Sequence, residues 1–534
     1  YEGKYFRLTT DIVLNDLMIN FSGNIIYGDP TSWTPIGGSK SFKGTFNGGG
    51  HTIKGLYIKD EDAKYQGLFG SVENATICNL NIDNSCIYSL SNFSGKYYGL
   101  LCGVSYGFVK CSNVHVTKSL LDIRNDELSV GGLLGKAEDT NSHEYLNMDN
   151  CSFDGNICVR PNSYAAGMVT KSKGIITNCT TRGNIFITEE KYEKYGHDGR
   201  MAAGLTIEVE KIEHSSVNVE NCVNYMDIHI LHSSWNGARE EKDWDYYYYY
   251  LSICGLCKAG IIKNCANFGN LYVGTNSDGN VRRILALYYN GIEGDYIEDC
   301  ANYGNLMCIG KVLIGTRHSD YDESNIKLFG LYAYKSAKRC INIQKDNVLP
   351  TGNDIYKFRL CGIRVDENAE IADCHSYAVN NSEASFKNTS MAENHNSLSD
   401  FTVQPFFNNS NWGVVSVADD SPYSAYNGMP VPASCDGRII IIEGEGTAAN
   451  PYIINSEADL KALQEMVNNG NKMIGKHFRL DADIYGGNIS TIGNSSQNPF
   501  MGHFDGNGHA ITGLSSCLFG YMYGTVKNLA LVDC

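Results

Sequence analysis

The stretch "FKGTFNGGGHTIKGLYI", Phe42 to Ile58, is nearly rewritten as "FMGHFDGNGHAITGLSS", Phe500 to Ser516. Both fit F-x-G-x-F-[ND]-G-x-G-H-x-I-x-G-L. The likeness extends outward on both sides. "EGKYFRLTTDI" from Glu2 matches "IGKHFRLDADI" from Ile474, "WTPIG" matches "ISTIG", "YQGLFG" matches "SCLFG", and "ICNLNID" matches "VKNLALVD". These are two copies of one module start. Each copy alternates β-branched or aromatic residues and is broken by Gly, Asn or Asp, which signals short strands joined by tight turns.

Between the copies a shorter unit recurs. It opens at Gly67-Leu68-Phe69-Gly70, Gly99-Leu100, Gly132-Leu133, Gly167-Met168, Gly204-Leu205, Gly255-Leu256 and Gly330-Leu331, with a weaker form at Gly362-Ile363. An I-x-N-C step follows ("VKCSN", "MDNCSF", "ITNCTT", "VENCVN", "IKNCAN", "IEDCAN"), then G-N-I-x-V. No single strand of this length buries a face, but stacked copies share one continuous core. The spacing therefore predicts an all-β fold, a parallel β-helix or solenoid with loop inserts. Cys111, Cys151, Cys179, Cys222, Cys265 and Cys300 are expected to form an inward ladder continued by Cys374. Asn150, Asn178, Asn221 and Asn264 are expected beside it at the turn. Stacked inward thiols are small apolar fillers, so most of the 19 cysteines are read as free.

The repeat resembles the GLUG repeat of bacterial surface proteins, over most of residues 1–375 and again over 438–534. That resemblance implies a parallel β-solenoid in a large secreted or surface-attached protein, with an adhesin-like role.

Ahead of the second copy, "NPYIINSEADLKALQEMVNNGNKM" predicts a strand and then a helix capped by Ser456, with Asp459 as its partner and Leu460, Leu463 and Val467 as its apolar stripe. The expected organisation is a first solenoid module over 1–415, a linker over 416–437, and the start of a second module over 438–534. Tyr1 aligns with Met473, so the first module is expected to lack its own capping helix. The chain reads as a piece of a longer protein with tandem modules.

Composition narrows the function classes. The chain has 43 basic and 59 acidic residues, a net charge of −16. That argues against nucleic acid and anionic membrane surfaces as partners, since both require basic patches. With 19% charged and 43% hydrophobic residues it is not a disordered composition. No apolar run is long enough for a membrane span.

Chemical motifs are sparse. His143-Glu144 begins an H-E-x-x-H zinc motif, but Asn147 breaks it. Cys254-Gly-Leu-Cys257 is a lone C-x-x-C, with Cys257 in the slot held by Leu134 and Val169 elsewhere. His51 and His509 recur at one module position and read as structural. No cluster of carboxylates stands out, so no catalytic, metal or cofactor site is expected. The candidate binding residues lie in the longest insert, "HSSWNGAREEKDWDYYYYY". They are Trp235, Trp244, Tyr246, Tyr248 and Tyr250, since such rings stack on sugars and anchor protein contacts. Alternate tyrosines of that run also suit inward packing. The expected function is a non-catalytic, extracellular or cell-surface adhesin-like protein, with a glycan or protein ligand on another cell or matrix as partner. A carbohydrate-active β-helix enzyme, or its polysaccharide-binding arm, is the first alternative. A purely structural spacer is the second.

Overall fold

The computed structural model describes residues 2–16, 18–19, 25–27, 30–59, 63–89, 95–123, 128–138, 145–160, 163–189, 200–210, 217–232, 250–275, 282–284, 286–309, 312–314, 326–344, 358–366, 369–378, 393–394, 397–401, 411–416, 426–432, 434–435, 438–440, 446, 448, 451–468, 472–487 and 489–533. Two compact units divide between Asn396 and Ser397.

The first unit is a parallel β-solenoid. Thirty-six strands join one hydrogen-bonded system (36-stranded). Each strand pairs in parallel with its counterpart one coil later; Thr180–Glu189, for example, lies in register along Val223–His232. The G-L steps stack into a column of Leu68, Leu100, Leu133, Met168, Leu205, Leu256, Ile292, Leu331 and Ile363, all buried. One of its members, Gly291-Ile292, was not recognised from the sequence, because "NGIEG" hides the motif inside the long strand Ala286–Glu298.

The I-x-N-C step is a corner. Asn79, Asn113, Asn150, Asn178, Asn221, Asn264, Asp299, Arg339 and Asp373 all have φ between 48° and 54°. Asn and Asp tolerate this left-handed conformation best among residues with a side chain. Their amides run up the outside of the corner. Asn113 Nδ2 donates to Asn79 Oδ1 at 2.9 Å, Asn150 Nδ2 to Asn113 Oδ1 at 2.8 Å, and Asn221 Nδ2 to Asn178 Oδ1 at 3.1 Å. Inside the corner stand Cys151, Cys179, Cys222, Cys265, Cys300, Cys340 and Cys374, all buried free thiols. Each thiol donates to the carbonyl two residues back, as Cys222 does to Glu220 O at 3.2 Å and Cys265 to Lys263 O at 3.0 Å. That carbonyl precedes the left-handed residue and also accepts a backbone N–H from the preceding coil, as Glu220 O does from Asn178 N at 3.0 Å, so the thiol fills its second lone pair. At an adjacent corner Ser85 and Ser119 do the same for Asp83 O and Thr117 O, at 2.9 and 2.7 Å.

The expected ladder needs one correction. Cys111 is not a member: it pairs with Met148, three residues ahead of the corner, and Asn113 and Val114 occupy the corner of that coil. Cys340, absent from the expected set, belongs to it. "VKCSN" was matched on its cysteine, whereas packing matches the left-handed asparagine.

A second amide column lies in the core. Ile53, Ile82, Val116 and Phe153 share an apolar column, which then turns polar at Thr181, Asn224, Asn267, Asn302, Asn342 and Ser376. Asn224 is completely satisfied. It donates to Asn267 Oδ1 at 2.8 Å and Met226 O at 3.2 Å, and accepts from Thr181 Oγ1 at 2.8 Å and Met226 N at 2.9 Å. That uses both donors and both lone pairs of a primary amide, as full burial requires. Tyr225, Phe268 and Tyr303 stack in the next column, 5.1 and 4.7 Å apart.

The second unit contains the predicted helix, Glu457–Asn468. Asp459 N donates to Ser456 Oγ at 3.2 Å, and the Asp459 carboxylate takes the Ser456 hydroxyl at 2.7 Å. Leu460, Leu463 and Val467 are buried against Phe478, Phe500 and Phe504. Tyr452–Ile454, His477–Leu480, His503–Asp505 and Thr525–Lys527 form a parallel sheet, and Ile484–Tyr485, Ala510–Thr512 and Ala530–Val532 form another. Pro430–Pro432 and Arg438–Ile440 pair antiparallel with Trp412–Val415.

The duplicated stretch folds the same way twice. Gly49 and Asn507 are left-handed, as are Gly50 and Gly508. His51 Nδ1 lies 3.3 Å from Asp11 Oδ1, and His509 Nδ1 lies 3.2 Å from Asp483 Oδ1. Thr52 N and Ala510 N donate to the same two carboxylates, both at 2.9 Å. The recurring histidine therefore ties a turn to the preceding coil in each unit.

Candidate ligand cleft on the side of the first unit

The cleft arises where one corner grows from coil to coil. Gly294 pairs with Ala333 and Tyr296 with Ser336, so Asp295 faces both Tyr334 and Lys335. One coil later Ala333 pairs with Val365 and Ser336 with Glu370, so two residues on one strand stand against a longer connection on the next. Unequal corners cannot stack flush. A bulge also turns side chains out of the regular alternation. The result is an open cleft of about 710 Å³ lined by Tyr296, Tyr334, Lys335, Ser336, Arg364, Asp366 and Glu370.

Its walls are aromatic and charged. Tyr332 and Tyr334 lie 4.6 Å apart, centroid to centroid. The Tyr332 hydroxyl donates to Asp366 Oδ1 at 2.8 Å, and the Tyr334 hydroxyl donates to Glu293 Oε1. Burial, and then the adjacent carboxylate, push the Tyr332 phenol up to about 12 and push Tyr334 in the same direction. Both stay protonated donors at neutral pH. Lys335 pairs with Asp295 at 2.6 Å, Lys338 with Glu370 at 3.0 Å and Lys258 with Glu293 at 3.4 Å. The Arg364 guanidinium carbon lies over Phe329 and Tyr332, at 5.0 and 5.3 Å from their ring centroids. Its guanidinium has no carboxylate partner among the described residues.

Among the described residues no three His, Cys, Asp or Glu side chains gather as metal ligands. Trp235, Trp244, Tyr246 and Tyr248 lie outside the described residues, as do His143 and Glu144. Tyr250 opens the strand Tyr250–Cys254 and pairs with Ala286, which begins the first strand of the cleft wall. Cys257 continues the column of Leu134, Val169 and Thr206, as expected, while Cys254 belongs to a separate apolar cluster with Ala166, Ala203 and Ile207. The cleft residues were missed in the sequence because they repeat nowhere. The only signal was the uneven length between the G-L step and the corner cysteine in the last coils.

The chain is 33% identical over 119 residues to a "Putative Gly-rich membrane protein" of Evansella cellulosilytica, and 30% identical over 137 residues to the halomucin of Haloquadratum walsbyi. These matches cover 22% and 25% of this chain, and 12% and 1% of the relatives' own lengths. No family model and no solved structure matches the chain. No helix among the described residues is long and apolar enough to cross a membrane.

Proposed function

We propose that this chain is part of an extracellular, surface-displayed repeat protein of GLUG type, adhesin-like and non-catalytic, built of tandem solenoid modules that hold ligand-binding side features. The observation that carries the reading is the coil-on-coil solenoid. Its outer residues at one corner are set by Asn or Asp over many coils, while other corners accept inserts freely, an arrangement suited to display. The repeated His–Asp turn in both units supports the tandem modules. The partial likeness to a membrane protein and a halomucin supports a surface setting. Binding of the 534-residue protein to bacterial and host cells, and to a glycan array, tests the reading. Specific binding that is lost on joint Trp235→Ala and Trp244→Ala replacement assigns the insert as the contact. Absence of binding to any cell or glycan favours a structural spacer. A carbohydrate-active role is the second reading, favoured by the tyrosines and carboxylates of the cleft, and release of sugar from a bound polysaccharide would establish it.

A further inference from the structure

We propose that the cleft bounded by Tyr296, Tyr334, Arg364 and Asp366 binds a carboxylated saccharide, a uronate-type sugar, with Arg364 taking the carboxylate. The inference deepens the surface-binding reading and rests on it for its setting.

The argument starts from Arg364. In this acidic chain the neighbouring cations whose side chains are described are neutralised: Lys258 by Glu293, Lys335 by Asp295, Lys338 by Glu370, and Arg339 by Glu298 and Asp299. Among the described residues Arg364 is the exception, although Asp366 lies two residues away. That carboxylate accepts the Tyr332 hydroxyl instead. Cation–π contact with Phe329 and Tyr332 holds the guanidinium carbon beside the cleft before a ligand arrives. A planar guanidinium is the group best matched to a carboxylate, which it holds through two parallel hydrogen bonds.

The rest of the lining selects a sugar over a simple anion. Tyr296 is 41% exposed at the edge of the cleft, with the Lys335 ammonium over its ring at 5.5 Å, and its exposed ring surface suits the C–H face of a pyranose. Asp366 and Glu370 have oxygens suited to sugar hydroxyls. The same carboxylates, with Asp295 and Glu293 behind them, disfavour a ligand carrying charge at every position, such as a polyphosphate or a nucleic acid. A uronate carries one charge per ring, surrounded by hydroxyls, and suits one unpaired cation among acceptors. About 710 Å³ is room for a short oligosaccharide rather than a single ion.

Calorimetry on the 534-residue protein with tri-galacturonate, and with the same trisaccharide after reduction of its carboxyls, tests this. Saturable binding of the uronate is expected, weakened about tenfold or more by carboxyl reduction and again by Arg364→Gln. Added salt should also weaken it. Tyr296→Ala, at an exposed ring, should weaken binding with the melting temperature unchanged, and it decides the matter if Arg364→Gln fails to fold. Equal affinity for both trisaccharides, undiminished binding in Tyr296→Ala, or no uronate binding would overturn the proposal. Cell binding that persists in both variants would sink the cleft and leave the surface-binding reading standing. Uronate binding without any cell binding would do the reverse.

Discussion

Gly204 lies directly against Asn224: a methyl group on Gly204 would come within 2.1 Å of Asn224 Cγ. A methyl group on Gly255 would likewise come within 2.3 Å of Asn267 Nδ2, and one on Gly291 within 2.2 Å of Asn302 Oδ1. The G-L step and the N-C-x-N step of the repeat are thus two halves of one contact across the solenoid core. Gly204→Ala should cost about 2–4 kcal/mol by overpacking and by breaking a buried amide network, read as a lower denaturant midpoint. In the double variant with Asn224→Ala the clash is gone. The two costs should then fall short of adding, and strict additivity would refute the contact.

The corner thiols act as hydrogen-bond donors as well as fillers. Cys222→Ser should stay within about 1 kcal/mol of the parent, while Cys222→Ala should lose about 1–2 kcal/mol by removing both the second donor to Glu220 O, which Asn178 N also reaches at 3.0 Å, and the acceptor that Cys222 Sγ offers Cys179 N at 3.5 Å. Equal losses for both would reduce the thiol to a space filler.

Burial pushes the thiols of Cys257, Cys265 and Cys340 well above the ordinary range, whereas Cys517 is exposed. Although hydrogen bonds from its neighbours in the ladder lower Cys222 and Cys374, every ladder thiol is buried beyond a reagent's reach, so alkylation of the native protein near pH 8 should mark Cys517 and spare the ladder. Denaturant without reductant should open the ladder to the reagent. Mass spectrometry of the labelled peptides distinguishes this from a ladder locked in disulfides.

Acid should loosen the first unit through His229. Its ring is stacked between Phe186 at 4.8 Å and Tyr272 at 4.6 Å, and burial lowers its pKa from 6.5 to about 4. Above pH ~6.5 both folded and unfolded states are neutral here, and the residue contributes no pH dependence. Between ~6.5 and ~4 the unfolded chain takes a proton that the folded chain refuses, so stability falls as pH falls. The loss from this residue should be of order 1–2 kcal/mol, since the ring is partly solvated. His229→Phe should flatten that part of the stability–pH curve, and an unchanged slope would rule the histidine out as its source.

Arg339 holds a corner position that is Asn or Asp in the other coils. It reaches back to Asp299 at 2.7 and 2.9 Å and to Glu298 at 2.6 Å, and the Asp299 side chain is only 4% exposed. Arg339→Ala should cost about 2–4 kcal/mol by stripping the cation from a buried carboxylate. Arg339→Asn keeps the left-handed preference and should cost less. The ranking of their denaturation midpoints checks this.

Much of this architecture was legible in the sequence because it is written within single coils. Alternation, the glycine openings, the asparagine corners and the Ser456 cap are local patterns, and each constrains only a few neighbouring residues. The inner amide column was visible in letters, as the last residue of "NCVN" and "NCAN". It carried no meaning until Gly204 and Asn224 were seen to touch.

By itself, then, the sequence determined a parallel solenoid with free inward cysteines, an asparagine turn beside them, and a helix ahead of the second copy of the module start. Only the tertiary structure decided which residues share a level. It moved Cys111 out of the ladder and Cys340 into it, revealed the coil at Gly291, and opened the cleft at Arg364. The reason is physical. Residues at one level are separated by a whole coil of chain, and their alignment is set by how corners of unequal length stack against the same core, a balance that no local pattern records.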